Sequence, residues 1–296
     1  MNKFPSIDLL SSLHWEDYEL LDSGDGLKLE RFGKYKFVRP EYQAIWRPAL
    51  SNMEWDDVDA VFHSNNEESG GKWAFKQSIE SQWEMHYKGL SFFARTSNSR
   101  HLGFFPEQAT HWDWIGDQVI KCNRPISVLN LFGYTGLASV AAVAAGARVT
   151  HVDASKKSIQ YARENQEHSG LIDKPIRWII DDAVKFVKRE SRRGVRYDGV
   201  IMDPPKFGRG PKGEVWEFFK MLPFLLQEVK SVLISKPIFL VITAYAIRAS
   251  ALSLHFAIRE MMSGYKGSSS SGELVIPEKS AGRILSMAIY SRWTSL

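Results

Sequence analysis

Cysteine is almost missing from the 296-residue chain, which has only Cys122. A lone thiol excludes an intramolecular disulfide and points to a reducing compartment. No uncharged apolar run reaches the roughly 18 residues that a membrane helix needs. The opening MNKFPSIDLL has no apolar stretch of the kind a secretory signal carries. A cytoplasmic protein is therefore expected. The eight histidines are scattered, without an H-x-x-x-H pair or Cys/His spacing, so no metal site is predicted. No G-x-S-x-G elbow supports serine hydrolysis. There is no G-K-[ST] phosphate loop and no G-x-G-x-x-G fingerprint, which argues against an NAD-dependent oxidoreductase. Internal repeats and coiled-coil heptads are absent too.

What is present is an ordinary globular composition, 44% hydrophobic and 24% charged, with a net charge of +4. That charge leans toward polyanionic partners without identifying one. The two parts of the chain differ in pattern. Up to about residue 120, short alternating runs rich in Trp, Tyr and Phe are separated by turn signals. Tyr18–Leu21 and Leu27–Phe32 predict a hairpin around Asp22–Gly26, and Lys34–Arg39 alternates up to Pro40. Ser64–Gly71 reads as a polar loop, Trp83–Tyr87 and Leu90–Arg95 as a strand pair, and His101–Pro106 as one more strand. Pro106 then opens a helix carrying Trp112, Ile115 and Val119 on one side. Beyond residue 120, strands and helices alternate. The expected architecture is a small N-terminal α+β or mostly β domain over 1–120. An α/β domain over 121–296 follows, with a C-terminal antiparallel hairpin.

The α/β pattern begins at Ile126–Asp153. An apolar strand, Ile126–Phe132, runs into Gly133-Tyr134-Thr135-Gly136, a helix of small residues from Leu137 to Ala145, and a second strand ending at Asp153. This is the start of a doubly wound parallel sheet. A glycine turn lets a ligand approach the backbone, and the helix N-terminus offers free amides. An acid about twenty residues past the turn suits ribose hydroxyls. A ribose acid without a pyrophosphate cradle suits S-adenosylmethionine. Ser155 is a candidate cap for a helix through about His168, and Ile176–Ile180 is the third strand, ending at Asp181-Asp182. Tyr197–Met202 is the fourth, ending at Asp203. A long helix is expected from Glu214 to Leu233, broken or kinked at Pro223. The fifth strand is Ile238–Thr243, then a helix over Leu252–Ser263, a flexible GSSSSG run, and strands Glu273–Pro277 and Arg283–Trp293.

Ligands of open α/β sheets sit beyond the carboxyl ends of the strands. Here three successive strand ends carry acids. Such a cluster is costly unless a ligand or protein donors use it; the plainer reading makes each acid a turn cap. After Asp203, two prolines fix the backbone so that the Pro204 carbonyl and the Asp203 carboxylate can face one point. They could accept from an amine or a purine edge. An adjacent aromatic could stack on a base, and Lys206, Arg209 and Lys212 could hold phosphates. The alternative is a rigid loop with solvated charges.

The segments NLFGYTG, VDASKKSIQYARENQ, DDAVKFV and DPPKFGRG resemble class I S-adenosylmethionine-dependent methyltransferases, which have a Rossmann-like sheet. More narrowly, they are similar to bacterial large-subunit ribosomal RNA methyltransferases, a group with cytosine-C5 and guanine-N7 enzymes. The resemblance is good over about 101–245 and loose over the C-terminal hairpin. HLGFFPEQ is similar to that group's T-G-x-F-x-D-Q-R element, with Ala109 where the group usually has Arg. No RNA-binding PUA module is recognisable ahead of it. The resemblance implies that Asn130, Phe132, Gly133, Tyr134, Thr135 and Gly136 wrap the methionine and ribose part of S-adenosyl-L-methionine. It also implies that Asp153 takes the ribose hydroxyls and that Ala154 and Ser155 lie beside the adenine. Asp182 would accept from the adenine amine, and Phe104 and Gln108 would close over the methionine end. Asp203, Pro204 and Lys206 would stand between the sulfonium methyl and the acceptor.

A cytosine C5 becomes nucleophilic only after an enzyme thiolate adds to C6. The single thiol precedes the first sheet strand and TAYAIRAS has none, so a nitrogen acceptor in RNA, ribosomal in the first instance, is expected. Three alternatives remain. The acceptor could be a protein side chain or a small amine, or the chain could be an RNA-binding module with a vestigial pocket. Two basic stretches could face RNA: Lys185–Arg196, and Lys34–Arg39 with its aromatics. Either could instead be a solvated face.

Overall fold

Strand and helix patterning resolves into seventeen strands and seven α-helices among the residues that the computed structural model describes, which are 4–12, 15–65 and 70–296. In chain order the first strands are β1 (Asp8–Leu10), β2 (Tyr18–Gly24), β3 (Leu27–Phe32), β4 (Tyr35–Pro40), β5 (Ala60–Ser64), β6 (Gly71–Phe75), β7 (Gln82–Tyr87) and β8 (Leu90–Arg95). Then come β9 (Ser127–Leu131), β10 (Arg148–Asp153), β11 (Ile176–Ile180), β12 (Gly199–Met202), β13 (Phe207–Arg209), β14 (Val215–Glu217), β15 (Phe239–Ala244), β16 (Ser268–Pro277) and β17 (Ile284–Thr294). The helices are α1 (Asn52–Asp56), α2 (Ala109–Lys121), α3 (Leu137–Ala144), α4 (Lys156–His168), α5 (Ala183–Arg192), α6 (Phe218–Ser231) and α7 (Ala251–Met261). None of the described helices is long and apolar enough to cross a membrane.

The chain divides into two compact units. One takes the described residues up to Leu10, Thr110–Leu274 and Ala288–Leu296; the other takes Ser11–Ala109 and Val275–Met287. The division therefore falls at Ala109/Thr110 where the sequence suggested 120/121. The reason is packing. Ile115 and Val119 on α2 join Val128, Val149, Val241 and Phe239 in the core of the large sheet.

The larger unit holds an eight-stranded sheet in the order β1-β16-β17-β15-β12-β9-β10-β11. The pairs β9–β10, β10–β11, β9–β12 and β12–β15 are parallel, and β17 runs antiparallel to β15. This is the expected Rossmann-like sheet with a C-terminal antiparallel strand. Strand order reverses between β9 and β12, the switch point at which such sheets bind ligands. The four central strands are largely buried on both faces because helices cover both. Against one face pack Val184, Phe186 and Val187 of α5 with Leu222, Leu225 and Val229 of α6. The helix predicted from Glu214 starts only at Phe218; Val215–Glu217 instead pairs with Phe207–Arg209 as a hairpin. Pro223 lies inside α6 without ending it. It is solvent-exposed while Leu222, Leu225 and Leu226 are buried, so packing outweighs one missing hydrogen bond. The serine run predicted to be flexible is strand: Ser271 is buried with its hydroxyl bonded to Ser291 and His255, and a Cβ on Gly272 would collide with the Asp8 backbone.

The smaller unit is mostly β, with a five-stranded sheet in the order β2-β3-β4-β5-β6 and a β7–β8 hairpin. Residues 101–105 form no strand, because Gly103 (φ 97°) and Pro106 interrupt extended pairing. A 3₁₀ turn follows at Pro106–Gln108. Residues 66–69 of the predicted polar loop lie outside the described set. The aromatic-basic stretch of β4 offers no binding strip. Tyr35 and Phe37 are core residues, Arg39 is buried in a two-pronged contact with Glu30, and Lys34 and Lys36 pair with Glu80 and Asp57.

Candidate active site

At the carboxyl end of β9 the backbone turns through two left-handed non-glycine residues, Phe132 (φ 57°) and Tyr134 (φ 49°), and Gly136 (φ 82°). Such conformations cost roughly 1 kcal/mol or more each and persist only where their surroundings enforce them. The enforcement is visible. Gly133 N–H donates to Val152 O at 3.1 Å and Gly136 N–H to Gly133 O at 3.0 Å. A Cβ on Gly133 would lie 2.2 Å from Cε1 of His151, and one on Gly136 would lie 2.6 Å from Cβ of Ala162. Gly136 is also the N-cap of α3, where no side chain satisfies the first amides. Thr135 is buried, and its carbonyl accepts from Asn165 at 2.9 Å.

Beneath the turn runs a buried polar chain that sequence reasoning missed in part. The Asn130 amide nitrogen donates to Ser139 Oγ at 2.9 Å, and Ser139 meets His151 Nδ1 at 2.9 Å. His151 is thus the third member of a chain that starts at Asn130. Burial keeps it neutral, pushing its pKa to about 3. The resemblance places Asn130 at the ligand; its amide nitrogen supports the turn from below. The missed signal was a polar residue at one register level of two adjacent apolar strands, since Asn130 and His151 are paired.

Asp153 ends β10. Its carboxylate oxygens accept from Tyr134 N–H at 2.9 Å and Ser155 N–H at 2.8 Å. Burial pushes its pKa above the ordinary value, and the two amides oppose that. Ala154 is half-buried, and the Ser155 hydroxyl caps α4 by accepting from Ser158 N–H at 3.1 Å. At the end of β11, Asp181 accepts from Arg189 at 2.6 Å, while one Asp182 oxygen caps α5 through Lys185 N–H at 2.9 Å. At the end of β12, Asp203 N–H donates to Leu131 O at 3.3 Å, which sets this strand end beside the glycine turn. Pro204 is buried, Lys206 is exposed, and the loop is held by Trp216 Nε1 donating to Pro205 O at 2.6 Å. Neighbouring strand ends thus bring Gly133, Asp153, Asp182 and Asp203 to one edge of the sheet.

Phe104 and Gln108 belong to the smaller unit. Phe104 is in its aromatic core, 5.0 Å from the Phe92 ring and 5.6 Å from Phe32; Gln108 ends the 3₁₀ turn and is half-buried. Among the described residues no His/Cys/Asp/Glu cluster is placed to hold a metal ion.

The basic stretch on α5 is largely neutralised. Lys185 pairs with Glu214 at 2.5 Å, Arg189 with Asp181, and Arg193 with Glu190 at 3.5 Å. Lys185 and nearby backbone amides hold the Glu214 carboxyl down at about 2.

These groups fit S-adenosylmethionine. An Asp153 with two backbone donors still has lone pairs for a diol. The uncapped α3 amides suit a carboxylate. One Asp182 oxygen is left for an amine.

A family model described as S-adenosylmethionine-dependent methyltransferase matches residues 46–260. The chain is similar to the crystal structure of the SAM dependent methyltransferase from Agrobacterium tumefaciens, with 47% identity and a TM-score of 0.93, covering 100% of this chain and 98% of that one. It shares its fold with SMU.776, described as a methyltransferase and crystallised with S-adenosylhomocysteine, at 18% identity and a TM-score of 0.69, over 94% of this chain and 75% of that one. Two curated relatives carry the name ribosomal RNA large subunit methyltransferase I. The Klebsiella pneumoniae protein is 41% identical over 81 residues, 27% of this chain and 20% of that protein. The Aeromonas salmonicida protein is 31% identical over 120 residues, 40% of this chain and 29% of that protein. The match thus spans less than a third of the length of these curated relatives.

Proposed function

Since the chain belongs to the S-adenosylmethionine-dependent methyltransferase family, we propose that it methylates a nitrogen of a base in RNA, ribosomal RNA being the foremost candidate, in the cytoplasm. The observation that carries the reading is the position of Asp203. Its backbone is bonded to the last residue of β9, and its loop is locked by Pro204, Pro205 and the Trp216 indole. A carboxylate on a rigid loop beside the glycine turn can act on an acceptor without reorganising.

When bound, S-adenosylmethionine supplies an electrophilic methyl group on a sulfonium, whose S–C bond breaks in the transfer to leave the neutral thioether S-adenosylhomocysteine. The chain's own residues would do the following. Asp153 would hold the ribose diol, the α3 amides the methionine carboxylate, and Asp182 the adenine amine. Asp203 would accept the N–H of the acceptor, aim its lone pair and take up the proton as the N–C bond forms. The Pro204 carbonyl would supply a second acceptor, and Lys206 would steady an adjacent phosphate.

The names of the curated relatives support RNA as the substrate. Thiol chemistry at C5 has no candidate group. Cys122 is half-buried just past the end of α2, packed against the core cluster that includes Ile115, Val119, Ile126 and Val128. The test compares wild type with Asp203→Ala on ribosomal RNA from a strain lacking the gene, followed by nucleoside analysis. Wild type is expected to yield one N-methylated nucleoside. The variant should lose turnover at least 10²-fold while binding S-adenosylhomocysteine normally by calorimetry. Retained turnover refutes the Asp203 role; transfer only to peptides or small amines refutes the RNA reading.

A further inference from the structure

The β13–β14 hairpin begins four residues beyond Asp203 and has two unlike faces. In register, Gly208 sits opposite Trp216, while Phe207 faces Glu217 and Arg209 faces Val215. The Gly208/Trp216 level points inward. Trp216 is buried, its ring lies 4.9 Å from that of Phe132, and a Cβ on Gly208 would be 3.3 Å from Pro205 Cγ. Because strand side chains alternate, the other two levels point outward. Phe207 is 54% and Val215 48% exposed, and Phe219, at the start of α6, is 60% exposed. Two large apolar side chains, Phe207 and Val215, thus face water on a ribbon already anchored by its inner face, and Phe219 is exposed just beyond it.

The charges nearby are sorted rather than scattered. Lys185, Lys188 and Lys220 each pair with an acid: Glu214, Glu228 and Glu217. Those pairs use up the acids on the hairpin. Arg209 and Lys212 are exposed and, among the described residues, have no ion pair. Exposed aromatic rings interleaved with unneutralised cations match the surface that binds single-stranded nucleic acid, where rings take base faces and cations take phosphates. A double-stranded segment would not expose a base face to Phe207.

We infer that the outer face of this hairpin, with Phe207, Arg209, Val215 and Lys212, is the platform for nucleotides flanking the acceptor, and that the substrate is single-stranded RNA. This rests on the RNA reading of the Asp203 site. The partner is a polyanion with free base faces, which sets it apart from an acidic peptide.

The test uses the full chain with S-adenosylhomocysteine and a fluorescein-labelled ribosomal RNA oligonucleotide that the wild type methylates, alone and annealed to its complement. Anisotropy titrations read the affinity. Phe207→Ala should weaken single-strand binding about 5- to 150-fold, the usual worth of one stacked base. Arg209→Gln with Lys212→Gln should lower the slope of log K against log salt by about 1.4, or 0.7 per lost phosphate contact. Calorimetry should show S-adenosylhomocysteine binding unchanged in both variants, which separates a lost platform from a misfolded site. Duplex should bind more weakly than single strand. Wild-type-like affinity and salt slope in both variants, or duplex bound as tightly as single strand, would overturn the platform while leaving RNA methylation standing. A wild type that methylates no RNA would overturn both.

Discussion

Replacing Gly133 by alanine is the sharpest probe of how the turn is built. The added Cβ would sit 2.2 Å from His151 Cε1 and 2.5 Å from Nδ1. That ring cannot swing away cheaply. It is fully buried, hydrogen-bonded to Ser139, and packed 4.7 Å from the Trp178 ring. Gly133 has no left-handed φ, so the penalty is steric rather than conformational. Overpacking of this kind costs about 1–3 kcal/mol. The strain is expected to move Tyr134, whose amide now holds Asp153 at 2.9 Å. We therefore expect Gly133→Ala to lose about 2 kcal/mol of stability in urea titrations and about tenfold in S-adenosylhomocysteine affinity by calorimetry. The decisive control is His151→Ala. Alone it opens a cavity and destabilises; combined with Gly133→Ala it removes the clash, so the pair should be non-additive by at least ~1 kcal/mol. Strict additivity, or a Gly133→Ala protein within about 0.5 kcal/mol of wild type, would refute the steric account.

Acid sensitivity follows from neutral buried histidines. Burial pushes His101 and His151 to about 3 and lowers His111 well below its usual value. Their folded pKa lies below the unfolded one, so the unfolded chain binds more protons and stability is lost as pH falls below about 6.5. Each histidine should contribute about 1.4 kcal/mol per pH unit near pH 5–6, and His151→Asn should reduce the measured slope by one such share. Asp153, pushed up by burial, acts with the opposite sign. Cys122→Ser should methylate at the wild-type rate, as should protein treated with iodoacetamide. Loss of turnover in both would restore a thiolate route.

The central strands, the Ser155 cap and the glycine turn were legible because each rests on local chemistry: apolar runs, an N-cap hydroxyl, a residue without Cβ. The hairpin at 207–217 was not legible. Val215-Trp216-Glu217 runs straight into a helical pattern, and only the docking of Trp216 on Pro205 and Phe132 breaks that pattern. The serine run misled for a similar reason. Ser268–Gly272 has no strand signature of its own and is extended because Asp8 and Ser291 bond to it. Among the site residues, Asn130 was legible as important but not in direction, since only the pairing with His151 across two strands shows its amide pointing into the core.

A plainer account of the strand-end acids holds that they are caps and nothing more, and it describes part of what they do. Asp182 does cap α5, and Asp153 does accept two backbone amides. Yet α4 already has Ser155 as its cap, so Asp153 is not needed for that helix. It is instead sunk far enough that burial works against its own ionisation. Beside it, Phe132 and Tyr134 hold left-handed conformations that cost energy. A turn cap requires neither burial nor strain. Both expenses fall at one end of one sheet, around the turn where strand order reverses, which is where open sheets of this kind bind their ligands.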